Sequence, residues 1–67
     1  MKPEEFAAIR ARLHLTQREL AIALAYRGHN SAIEISKFET SLRYIPKRVA
    51  RLMLMFDRFG VPKDFLP

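Results

Sequence analysis

Apolar residues along this chain recur at three- and four-residue intervals, and no segment alternates strictly, so the pattern is helical throughout. Phe6, Ile9 and Leu13 form the first stripe. Pro3 suits a first helical turn, where its missing N–H is no loss, and Glu4 and Glu5 favour the positive end of the helix dipole. A helix is predicted over about 3–13. Thr16-Gln17-Arg18-Glu19 has the capping-box pattern and opens a second helix over about 16–25. Leu20, Ala23 and Leu24 face its core, and Ala21 is small enough for another helix to approach closely. A polar break from Tyr26 to Asn30 surrounds Gly28. Ser31-Ala32-Ile33-Glu34 reads as a second capping box, opening a third helix over about 31–40. Ile35 and Phe38 point inward, with Leu42 just beyond. Ala32, Ile33, Ser36, Lys37 and Thr40 lie on the opposite side. A loop from Ser41 to Ile45 leads to Pro46, placed to begin a fourth helix over about 46–59 that Gly60 stops and Pro62 prevents from resuming.

The fourth helix is apolar over more of its circumference than one core contact requires. Val49, Leu52, Met53, Phe56 and Phe59 make one face, and Leu54 and Met55 fall outside it. Val61, Phe65 and Leu66 add further apolar surface in the tail. The expected fold is all-α: a compact four-helix domain over 1–67 with a short C-terminal tail and no internal boundary.

At 67 residues the core is small, and folds of this size commonly draw support from disulfides, metal or oligomerisation. There is no cysteine, which removes disulfides and thiolate metal sites. His14 and His29 have no carboxylate at ligand spacing, so neither metal nor cofactor is expected. Oligomerisation is the support that remains. With 49% hydrophobic residues the chain is expected to fold. No run reaches membrane-spanning length and no signal-peptide stretch is visible, so a cytoplasmic protein away from membranes is expected.

The net charge is +5, and it is unevenly placed. Basic and acidic side chains nearly balance up to Leu42, whereas Arg43, Lys47, Arg48, Arg51 and Arg58 stand against Asp57 alone. Such a stretch suits a polyanionic partner, or serves only as a solvated helix face.

Two short helices separated by a break are the ingredients of a helix-turn-helix. Leu15-Thr16-Gln17-Arg18-Glu19-Leu20-Ala21 resembles the opening of that motif in Cro/phage-repressor-type (XRE-like) regulators. Ile35-Ser36-Lys37-Phe38-Glu39 is similar to the end of their recognition helix. Ile45-Pro46 and Val49-Ala50-Arg51-Leu52 are similar to the following helix in small members from phages and mobile elements, some of them anti-CRISPR-associated or linked to toxin–antitoxin operons. The resemblance runs from about Phe6 to Phe59. The stretch from Leu24 to Ile35 is longer than the motif's tight turn of about 3–4 residues allows, and Ser41 stands where a Gly commonly follows the recognition helix.

This resemblance implies a helix-turn-helix repressor of transcription with its third helix in the major groove. An α-helix fits that groove, and its outward side chains meet base edges. Ser36 and Lys37 are the expected base contacts. Ile33 either touches a thymine methyl or packs against the extended turn. Asn30 either pairs with adenine or serves the turn. Gln17 and Arg18, at the start of the crossing helix, are placed for phosphates, with Arg27 and Thr40 beside them. Arg43, Tyr44, Lys47 and Arg48 flank the groove as further phosphate contacts, while Arg51 and Arg58 face solvent or a dimer rim. His29 either reaches the backbone or does nothing. Glu34 and Glu39 cap and brace. Phosphate contacts fix register and base contacts choose sequence.

One short helix reads few base pairs, and two-fold duplication supplies the missing specificity. Leu54, Met55, Phe59, Val61, Phe65 and Leu66 are the expected homodimer interface, unless the tail folds back over its own core. A palindromic operator with half-sites about 34–36 Å apart follows. The leading expectation is an autorepressor controlled by its own concentration, with no small-molecule ligand. The alternative is a protein-binding module, such as an antitoxin-like chain that masks a partner with its apolar fourth helix. An enzyme is disfavoured, since there is no cysteine nucleophile, no paired acid–base set and no Gly-rich phosphate loop, and a Ser–His pair has no plausible geometry. RNA binding lacks the aromatic platform or GXXG loop that common RNA modules use.

Overall fold

Helices form where the periodicity places them, and a computed structural model describes all of residues 1–67. They are α1 (Pro3–Arg12), α2 (Gln17–Ala23), α3 (Ser31–Glu39) and α4 (Lys47–Phe59), followed by one 3-10 turn, Lys63–Phe65. There is no strand, so the chain is a small four-helix all-α domain. No helix is long and apolar enough to cross a membrane.

Helix starts differ in chemistry. Pro3 opens α1 with Glu4 and Glu5 in its first turn. The capping box at α2 is complete: the Glu19 N–H donates to Thr16 Oγ1 at 3.0 Å, and the Thr16 N–H donates to Glu19 Oε1 at 2.8 Å. The expected second box does not form. Asn30 takes the cap position of α3 without a side-chain hydrogen bond, and Ser31 lies inside the helix as a buried residue. Glu34 is drawn away to pair with Arg43.

Helix ends share one device. After α1, α2 and α3 the chain turns through a left-handed residue: His14 (φ 58°), Ala25 (φ 67°) and Ser41 (φ 65°). In each case the next N–H reaches back to satisfy a carbonyl near the helix end: Leu15 to Arg10, Tyr26 to Ala21, and Leu42 to Lys37. That is the Schellman arrangement, which Gly normally serves because a Cβ is strained there. The stop at Ala25 also explains why α2 ends at Ala23 rather than running on. Gly60 (φ 81°) closes α4 as expected.

One core joins the helices. Phe6, Ile9, Leu20, Ile35, Phe38 and Met53 are fully buried, each contributing about 1.5–3 kcal/mol of apolar transfer. The Phe6 and Phe38 rings meet at 5.5 Å between centroids, tilted by 56°. α3 packs on α2 and α1, while α4 packs on α1. Ala21 is wholly buried, as its small size at a helix contact requires. Leu42 does not join this core: it is 78% exposed, and Ile45 is buried in the position expected of it. The left-handed Ser41 swings Leu42 outward, and the chain returns three residues later. On α4, Val49, Met53 and Phe56 are buried and Leu52 is half-buried, but Phe59 is 75% exposed at the helix end.

Candidate nucleic-acid interface

α3 divides into an inner and an outer side. Ile35 and Phe38 anchor it inward. On the outer side Ile33 and Thr40 are exposed, and Ala32, Ser36 and Lys37 are half-buried. Ile33 keeps 47% of its surface in water, so packing against the extended turn does not account for it. Asn30 is exposed at the N-terminal end of this surface, its side chain free of any capping role. Thr40 closes the other end, its hydroxyl donating to the Ser36 carbonyl at 2.8 Å.

The orientation of α3 is held by an ion pair that the periodicity does not reveal. Arg10, in the last turn of α1, donates Nε to Glu39 Oε2 at 2.5 Å and Nη2 to Oε1 at 3.1 Å. Its Nη1 donates to the Leu15 carbonyl at 3.0 Å. Gln17, the first residue of α2, donates its amide to Glu39 Oε1 at 3.1 Å. One carboxylate thus gathers α1, α2 and the end of α3. Bracing by Glu39 matches its expected role. Gln17, expected on a phosphate, instead has its side-chain donor engaged within the protein. Arg10 was legible only as a charge beside the core residue Ile9, facing an acid beside the core residue Phe38.

A second cluster flanks α3. Arg43 pairs with Glu34, and Tyr26 lies close to both and to Arg48. The Tyr26 hydroxyl is held above its usual pKa, first by burial and then by the Glu34 charge, with Arg48 and Arg43 opposing. Its ring rests 6.1 Å from that of Phe38. Arg43, expected to be free for phosphate, is therefore already neutralised by Glu34. Lys47 and Arg48 are exposed at the start of α4 without an ion-pair partner, and Tyr44 is 83% exposed. Arg18 and Arg27 are also exposed and unpaired.

The expected dimer residues separate into two groups. Leu54, Met55, Phe59 and Phe65 are exposed. Val61 and Leu66 instead pack on the protein's own core, and the Phe65 ring meets Phe56 edge-on at 6.1 Å. The tail therefore folds back in part, and α4 with Phe65 carries the surface left open. Farther along α4, Asp57 accepts two hydrogen bonds from Arg12 at 3.0 and 2.9 Å, tying α4 to α1. Comparison with protein-family models, curated proteins and solved structures yields no match.

Proposed function

We propose that this protein binds double-stranded DNA sequence-specifically, with α3 in the major groove, and acts as a dimeric transcriptional repressor on a palindromic operator. The reading rests above all on the outer side of α3, which the rest of the chain leaves partly open: Ile33 and Thr40 are exposed, and Ala32, Ser36 and Lys37 are half-buried. A helix so presented fits a groove about 12 Å wide. Exposed cations at the start of α4 and on α2 supply the phosphate contacts that fix its register. The resemblance to XRE-like regulators in the Thr16–Glu19 and Ile35–Glu39 strings supports the same assignment. Ser36, Lys37, Ile33 and Asn30 read bases; Arg18, Arg27, Lys47 and Arg48 hold phosphates. Arg43 joins them once DNA displaces Glu34.

Selection of binding sites from random duplexes, followed by affinity against salt, tests this reading. A palindromic site and a loss of roughly 10³–10⁵ in affinity between 50 and 200 mM salt are expected for 6–10 phosphate contacts. A protein that selects nothing and binds duplex no better than a neutral helical domain ends it. The exposed apolar residues Leu54, Met55 and Phe59 favour one other reading, capture of a protein partner in the manner of an antitoxin. Such a contact would scarcely respond to salt.

A further inference from the structure

Between α4 and the tail runs an open apolar groove. Leu52 and Phe56 line it on the helix, and Val61 and Phe65 line it on the tail. Met55 and Phe59 stand at its edge, 56% and 75% exposed. Leu52, Met55 and Phe59 recur at i, i+3 and i+7, so this apolar row spans about two helical turns, roughly 10 Å.

Charge lies along the same side of the helix. Arg51 and Arg58 are one turn before and one turn after Met55, and both are exposed without an ion-pair partner. The Arg58 guanidinium sits 6.0 Å from the centre of the Phe59 ring, which holds its charge beside the groove. Asp57, the one carboxylate of α4, is already bound by Arg12. On the tail, Lys63 and Asp64 offset each other. The groove is thus apolar within and positive along its helical edge.

That combination discriminates among occupants. A second copy would bring the same uncompensated arginines, and like charges repel across a two-fold contact. Leu54 lies on the far side of the arginine row, so a dimer contact through it leaves the groove open. A bilayer takes apolar side chains that protrude together, whereas Phe56 is buried and Leu52 half-buried at the groove floor. Duplex DNA would engage the arginines and leave the apolar row without an apolar partner. A protein helix with large apolar side chains on one stripe and carboxylates beside them answers both features.

We infer that this groove docks an acidic amphipathic helix of a partner protein, with apolar anchors in the groove and Glu or Asp against Arg51 and Arg58. The inference rests on the protein-capture reading, to which it gives a chemical class of partner, and it needs no DNA contact.

The immobilised chain is offered a displayed library of randomised helical peptides, and enriched sequences are resynthesised for fluorescence anisotropy. Apolar residues at helical spacing flanked by Glu or Asp are expected. Phe59→Ser weakens these peptides by about thirtyfold, as loss of a central anchor does. Arg51→Glu with Arg58→Glu weakens them by about tenfold, and in a fresh selection enriches Lys or Arg instead. A merely structural role for the arginines would not reverse the preferred charge. All three residues are already in water, and circular dichroism checks that the fold is unchanged. Only two cations are engaged, so salt weakens this contact far less than duplex binding. Enriched peptides without acidic bias, or indifferent to the double reversal, overturn the acidic partner and keep protein capture. No enrichment removes both: a dimer that Phe59→Ser splits then assigns the groove to a second copy, and adsorption to phosphatidylserine vesicles assigns it to a membrane.

Discussion

Arg10 grips Glu39 through two hydrogen bonds of 2.5 and 3.1 Å, joining the last turn of α1 to the last residue of α3. The pair is mostly shielded, with 24% of the Arg10 side chain and 10% of the Glu39 side chain exposed. Glu39→Ala strands a guanidinium and releases Gln17, and is expected to lower stability by about 2–3 kcal/mol. Replacing both members by Met costs less than the sum of the single changes, because no charge is then left unpaired. Urea melts of Arg10→Met, Glu39→Met and the double variant measure the coupling; additive losses would mean the pair contributes nothing.

The left-handed residues predict a gain rather than a loss. Ser41 and Ala25 are exposed and strained by their Cβ atoms, so Ser41→Gly and Ala25→Gly should each stabilise the fold, by up to about 1 kcal/mol. Ala8→Gly, on the exposed side of α1, should destabilise it by about 0.5–1 kcal/mol. The same chemical change thus carries opposite signs at two sites. Thermal melts resolve this, since 1 kcal/mol moves the midpoint by about 4–8 °C in so small a domain.

Hydrogen bonding from Arg12 holds the Asp57 carboxyl below its ordinary value of 3.8, against a smaller opposing effect of desolvation. A carboxyl depressed in the folded state adds stability above its unfolded pKa, and that stability fades as pH falls through the folded pKa. The expected window therefore begins near pH 4 and extends downward. Asp57→Asn should flatten this part of the acid limb, and high salt should shrink the difference, because the pair is open to solvent. Identical acid titrations of the two proteins would contradict the assignment.

Periodicity was enough to read the four helices and most of the core, because Phe6, Ile9, Leu20, Ile35 and Phe38 each lie on a single inward stripe. It failed where backbone conformation, not side-chain pattern, decides. Leu42 looked like a core continuation of α3, but the left-handed turn at Ser41 sends it to water. Ser31 has the composition of a cap, yet the cap position falls one residue earlier, on an Asn30 whose side chain makes no capping hydrogen bond. The outer surface of α3 was legible for the same reason as its core. The Arg10–Glu39 and Arg43–Glu34 pairs were not, since contacts between distant charges depend on how helices cross.

On the DNA-binding reading, Lys37→Ala should relax preference at particular bases, while Arg48→Ala should weaken all sequences alike and reduce the salt slope by about 1. Glu34→Gln frees Arg43 and should strengthen binding, with a slightly steeper slope. Fluorescence anisotropy against salt for the three variants checks each sign. A Glu34→Gln protein that binds more weakly would show that the carboxylate positions Arg43 rather than withholding it.

If the open side of α4 holds two copies together, Leu54→Glu with Met55→Glu should yield a monomer of unchanged fold, because both residues are already in water. Sedimentation at tens of micromolar reads the mass, and circular dichroism the fold. A parent protein that sediments as a monomer, alone and on DNA, removes the interface.

α1 is the common neighbour of α3 and α4, bound to the first by Arg10 and to the second by Arg12. Two arginines one position apart from a shared Ala11 therefore work as the pins of a single crossbar. In a dimer joined through α4, the spacing between the two groove-reading rods would be transmitted along that crossbar. Loosening either pin should blur the preferred half-site separation before it alters which bases are read.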